Sequence, residues 1–138
     1  MRQAVIDTNV ALSSQKTTHA TSPNREVVER WLKGEFIWLH TPDILTEYAE
    51  KLIQHGIPSS KIRGFLRNLV RIGESVPIGF FHVRHYPADS DDTIFLLAAL
   101  NGMASHLVTY DEHLEEVGVY YPEFITCRLL EFLAALRV

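Results

Sequence analysis

An α/β domain built on a mostly parallel sheet, covered by helices on both faces, is the fold the sequence predicts. Three observations point to it. Short apolar runs of strand character alternate with longer segments of helical period. Helix-start signals, Ser22-Pro23 and Thr41-Pro42, stand at the transitions. The chain has 138 residues, 46% hydrophobic and 22% charged, an ordinary globular composition with enough length for a real core. Strands that alternate with helices pair in parallel, because the crossover helix returns the chain to the same end of the sheet.

Each element has its own warrant. Ala4-Val5-Ile6 reads as a short buried strand that ends in polar turn chemistry at Asp7-Thr8-Asn9. Ser14 to Thr21 is polar and aperiodic and is expected to be a loop. Ser22-Pro23 then supplies an N-cap and a first-turn proline, whose missing N–H no helix would have used. That helix should run to about Lys33 and close at Gly34. Phe36 to Leu39 is the second strand, and Thr41-Pro42 starts a helix ending near Gly56. Ser59 or Ser60 is expected to cap a third long helix, with Ile62, Phe65, Leu66, Leu69 and Val70 at helical spacing up to Gly73. A strand from Ser75 to Val83 is expected next. Asp89-Ser90-Asp91-Asp92 opens a helix that is apolar nearly all round from Ile94 to Met103, which predicts burial. Leu107-Val108-Thr109 is a further strand ending at Asp111. Phe124-Ile125-Thr126 is the last strand, before an amphipathic helix from Leu129 to Leu136. No repeat, low-complexity tract or linker divides residues 1–138, so one domain is expected.

Composition also excludes classes of function. Cys127 is the only cysteine, so neither an intrachain disulfide nor a cysteine-rich zinc site can form, and a cytoplasmic setting is expected. The N-terminus reaches Asp7 after three apolar residues, unlike a signal peptide, and the apolar run Ile94 to Leu100 is far too short to cross a bilayer. No Gly-rich phosphate loop occurs. The net charge of −4 weighs against a nucleic-acid binder, which more often carries cations to replace phosphate counterions.

The acids carry the chemistry. Ligands of parallel α/β sheets bind beyond the carboxyl ends of the strands, where successive loops converge. Asp7 follows the first strand, Asp111 follows a later one, and Asp89, Asp91 and Asp92 stand where a helix begins beside the same edge. Glu47 shares a stripe with Asp43 and Glu50, and periodicity does not choose among the three. Taken singly, each acid has an ordinary use: a turn after a strand, a cap at a helix start, a solvated helix face. Together they cannot all stay ionised without compensation, and a divalent cation resolves the conflict. Oxygen ligands without an organised histidine or cysteine set favour Mg²⁺ or Mn²⁺ over zinc.

Val5-Ile6-Asp7-Thr8-Asn9-Val10, Thr41 to Tyr48, Asp89 to Asp92 with Phe95-Leu96, and Leu107-Val108-Thr109-Tyr110-Asp111 together resemble the PIN-domain family. The likeness continues through Tyr121 to Thr126 and Leu129 to Leu133, nearly the whole chain. It implies a three-layer α/β/α sandwich and a metal-dependent ribonuclease, with Asp7, Glu47, Asp92 and Asp111 as the acidic quartet around Mg²⁺ or Mn²⁺. Asn9 and Thr109 resemble residues that support the pocket by hydrogen bonds, and Asp89 or Asp91 is open as a substitute for Asp92. The resemblance further implies RNA as substrate, an antitoxin protein as partner in a toxin–antitoxin pair, and a homodimer. The alternative is a non-enzymatic Mg²⁺-binding regulatory module or a silent RNA-binding relative. A receiver-like module is disfavoured by the want of a suitable phosphoacceptor and lysine.

Other features are weaker. Lys61, Arg63, Arg67 and Arg71 lie on one helical segment without an acid, suited to phosphates or simply to solvent. His82 and His85 are a slight pointer to zinc. Trp31, Trp38, Phe80 and Phe81 sit in apolar segments and are expected in the core, and Cys127 is expected to be a buried structural thiol.

Overall fold

The computed structural model describes residues Met1–Val138. Its elements in chain order are β1 (Gln3–Ile6), α1 (Thr8–Lys16), α2 (Pro23–Leu32), β2 (Ile37–His40), α3 (Pro42–Gln54), α4 (Ser59–Ile72), β3 (Glu74–Ser75), α5 (Thr93–Asn101), β4 (His106–Val108), α6 (Glu112–Gly118), β5 (Ile125–Cys127) and α7 (Leu129–Leu136), with a 3-10 turn (Ser90–Asp92) leading into α5. The five strands form one sheet in the order β3-β2-β1-β4-β5. Every pairing is parallel, so the sheet is wholly rather than mostly parallel. No helix is long and apolar enough to cross a membrane.

Register decides what each face carries. Ala4 pairs with both Trp38 and His106, and Val5 with both Leu39 and Leu107. Side chains alternate along a strand, so Trp38 and His106 share one face. There Trp38 packs against Trp31 of α2 with ring centroids 4.9 Å apart, Phe65 of α4 at 5.5 Å and Tyr48 of α3 at 6.4 Å, while His106 meets Phe132 of α7 at 5.1 Å. On the other face α5 presses close: a Cβ at Gly102, its C-cap, would overlap Val76 and the Ala98 carbonyl and crowd Leu39. The sheet is thus the middle layer of an α/β/α sandwich, and Ala4, Val5 and Ile6 at its centre are completely buried.

The cap signals operate as local chemistry. The Ser22 side chain accepts from the Asn24 amide and the Thr41 side chain from the Ile44 amide, each ahead of a first-turn proline. Gly34 and Gly56 follow the ends of α2 and α3 at φ +80 and +72, a region in which a side chain would be strained.

Four expectations are overturned, and one helix is present that the sequence did not predict. Thr8 to Lys16 is a helix, so polar turn chemistry ends at Asp7 and the loop begins only at Thr17. Val10, Ala11 and Leu12 bury against neighbouring elements and override the poor helix propensity of the serines and Thr8. Neither Ser59 nor Ser60 caps α4; Pro58 holds that position with no side-chain bond. The strand expected from Ser75 to Val83 stops at Ser75. Pro77 lacks the donor a ladder needs, and Asn101 of α5 holds the segment instead, accepting from the Gly79 and Phe80 amides and donating to the Phe80 carbonyl. Phe80 and Phe81 consequently lie exposed, outside the core that contains Trp31 and Trp38. Finally, α6 was not foreseen, because its charged seven residues carry little apolar period.

Candidate active site

The site begins with backbone register. Ile6 pairs with Val108, so the next residues of each strand, Asp7 and Thr109, emerge side by side at the carboxyl edge of the sheet. The Thr109 hydroxyl is fully buried and donates to Asp7 Oδ2 at 2.7 Å, while accepting from the Asp111 amide at 2.8 Å. One hydroxyl therefore has its proton direction fixed and ties two acids from distant segments. Asp7 occupies the N-cap of α1 without a side-chain capping bond, although the Thr8 and Asn9 amides are close enough to favour its anion. Asp111 is the N-cap of α6, its Oδ1 accepting from the His113 amide at 2.7 Å.

α3 brings the third segment. Tyr48 is buried, donates to the Ile6 carbonyl and accepts from Trp38 Nε1 at 3.2 Å, which locks α3 to the end of β1. The preceding residue, Glu47, is thereby set beside Asp7. Asp43 and Glu50 border the same cavity but are exposed, so burial selects Glu47 where periodicity did not. The fourth segment makes a similar choice. Asp89 is exposed and caps the 3-10 turn by accepting from the Asp91 amide at 3.0 Å, and Asp91 is also exposed. Asp92 is only 7% exposed and makes no capping bond.

Asp7, Glu47, Asp92 and Asp111 thus line one cavity of about 540 Å³, in which Ile94 is the only apolar side chain and Lys51 the only cation. Buried Glu47 Oε2 and Asp92 Oδ2 have no hydrogen-bond partner. Burial, followed by the charges of Asp111 and Asp7, pushes the Asp92 carboxyl up to about 7. Burial likewise raises Asp7, against the lowering bond from Thr109. It raises Glu47 as well, against the nearby Thr8 hydroxyl, which favours the anion without reaching hydrogen-bond geometry. Unpaired carboxylate oxygens in a hydrophilic cavity have one economical complement, a hard divalent cation.

Other sequence-derived candidates fall elsewhere. Asn9 borders the cavity but is exposed and makes no side-chain hydrogen bond, so support by hydrogen bonding comes from Thr109 and not from Asn9. Lys61, Arg63, Arg67 and Arg71 are exposed on α4, and none borders the acidic cavity. His82 contacts the Tyr86 hydroxyl and His85 stacks on Tyr120, so the two do not form a zinc set. Cys127 is buried, and burial pushes its thiol up to about 12. One residue went unnoticed in the sequence: a His113 ring nitrogen and one oxygen each of Asp92 and Asp111 lie within 4.8 Å of one another. No local signal marked it: it lies on α6, which the sequence does not predict, and it meets Asp92 only through tertiary contact.

A family model described as PIN domain matches residues 3–113. A structure of VapBC2 from Rickettsia felis bound to a DNA fragment from their promoter is similar over 91% of this chain and 98% of the matched chain, with a TM-score of 0.58 and 12% identity. The structure of the PIN domain endonuclease Utp24 is similar over 91% of this chain and 84% of the other, with a TM-score of 0.52 and 20% identity. At such identities the likeness is one of fold. None of the curated proteins compared matches the chain.

Proposed function

The chain belongs to the PIN-domain family, and from that premise we propose that it is a cytoplasmic, Mg²⁺- or Mn²⁺-dependent endoribonuclease. The observation that carries this reading is the convergence of Asp7, Glu47, Asp92 and Asp111 on one cavity, with buried oxygens of Glu47 and Asp92 left unpaired. Asp7, Asp92 and Asp111 would hold the cation, directly or through water, and Glu47 would orient the attacking water or a second ion. When bound, the ion supplies positive charge against the phosphate oxygens and acidifies water. Thr109 keeps Asp7 and Asp111 in mutual register through its two hydrogen bonds. Asp92, whose carboxyl is pushed up to about 7 in the bare cavity, would have to give up its proton to serve as a ligand, so metal binding would be coupled to pH. With its acids neutralised, the cavity would no longer oppose a polyanion, and the exposed cations of α4, outside the cavity, would be available to phosphates further along the strand.

The biological setting we propose is a toxin working with an antitoxin partner, as a homodimer. The fold-level likeness to VapBC2 supports the antitoxin partner; the homodimer rests on the family resemblance alone. The test is incubation of purified protein with single-stranded RNA and Mn²⁺, with and without chelator, beside D7N and D92N. Cleavage should require the metal and fall away in both variants. Chelator-insensitive cutting, or full activity in both variants, would reject the reading, and no cutting at all would favour a metal-binding or RNA-binding module.

A further inference from the structure

Beside the acidic cavity lies a second one, of about 890 Å³, bordered by His85, Tyr86, His113, Val117, Val119 and Tyr120. It is more apolar than the first: five of its nine bordering residues are apolar or aromatic, beside two histidines, Arg84 and a single acid, Glu116. The two adjoin through His113, which clusters with Asp92 and Asp111 and also borders this groove. The imidazole of His85 stacks on Tyr120 with centroids 4.3 Å apart and planes 23° from parallel, yet Tyr120 remains 57% exposed.

This shelf is built rather than incidental. The segment between β3 and the 3-10 turn is irregular, but at His85 it is pinned twice. The Tyr121 hydroxyl accepts from the His85 amide and donates to the His85 carbonyl, each at 2.7 Å. Arg84 grips both carboxylate oxygens of Glu123 at 2.9 and 2.8 Å and covers the Tyr121 ring. Arg84 is thereby neutralised, so the groove offers aromatic faces and not a phosphate clamp. A flat, preorganised π surface of this kind binds an unpaired base at little ordering cost.

We propose that the His85–Tyr120 pair is a stacking subsite for one unpaired nucleobase of single-stranded RNA, next to the phosphate held at the acidic cavity. The inference rests on the ribonuclease reading for its choice of ligand. It gives the enzyme a preference for single strands, since a base within a duplex presents no free face to the shelf.

The test uses the full chain carrying D92N, so that RNA stays intact, with a short single-stranded oligoribonucleotide bearing 2-aminopurine at each position in turn. Quenching should appear at one position. Y120A should weaken binding about tenfold and Y120F by less than about twofold, because the ring and not the hydroxyl matters. Replacing the base at the quenched position by an abasic residue should remove the difference between Y120A and the parent. Unchanged affinity in Y120A, or equal affinity for duplex and single strand, would overturn the subsite and leave the groove to a side chain of a protein partner. The two proposals fail separately. Tyr120-dependent quenching with no cutting by the native protein sinks the nuclease reading alone, and metal-dependent cutting with Y120A binding unchanged sinks the subsite alone.

Discussion

Two carboxylates in this molecule have opposite fates. Glu26, on α2, accepts from Arg30 at 2.7 Å and from two nitrogens of Arg137 at 3.0 and 2.6 Å, and these bonds hold its carboxyl down to about 2. Asp92 lies buried among other acids with an oxygen unpartnered and is pushed up to about 7. The first is a finished interaction that fastens the C-terminal end of α7 to α2. The second is an unfinished one, in which Asp92 has no cationic partner, since Lys51, the one cation bordering the cavity, acts on Glu47. Under the metal-dependent reading we propose, such a site has to remain unsatisfied without its cation, and the unpaired buried oxygen marks it more clearly than the number of acids does.

That contrast is most directly broken at the acidic cavity. D7N and D92N should each lower metal-dependent RNA cleavage at least about 100-fold, while D92N raises the thermal stability of the metal-free protein at pH 8. Loss of activity together with loss of fold would contradict the trade between stability and function.

The pH dependence follows with a definite sign. The folded state holds the Asp92 proton more tightly than the unfolded chain, from 3.8 up to about 7. The stability this contributes is complete below about pH 4 and is lost progressively as pH rises to about 7, a loss of up to about 4 kcal/mol. Urea melts of native protein and D92N should therefore part between about pH 4 and pH 7 in chelator and keep a constant gap above that, and Mg²⁺ should close the gap for the native chain alone. Parallel curves would place the Asp92 proton elsewhere.

A smaller effect is expected at Thr109. T109V strands the Asp111 amide and removes the Asp7 bond, which should cost about 1–2 kcal/mol and lower cleavage about tenfold by loosening the ligand register. Smallest is E26Q: partly exposed ion pairs at the surface contribute about 1 kcal/mol or less and weaken with salt. A small, salt-sensitive fall in melting temperature with unchanged cleavage would confirm that the two carboxylates serve separate ends.

What the sequence determined by itself is everything governed by near neighbours along the chain. Ser22-Pro23 and Thr41-Pro42 place helix starts because capping is local chemistry, and the apolar triplet before Asp7 marks a central strand because only a fully buried strand tolerates it. The acids' position after strand ends was legible for the same reason. Tertiary structure decided the rest. α1 is helical because Val10, Ala11 and Leu12 find a core, and the strand after Ser75 fails because Asn101 replaces a ladder partner that Pro77 cannot supply. Glu47 and Asp92 stand apart from Asp43, Glu50, Asp89 and Asp91 only by burial, and burial is a property of the whole packed chain. His113 joins Asp92, and His85 meets Tyr120, through contacts between segments far apart in sequence, which no local pattern encodes.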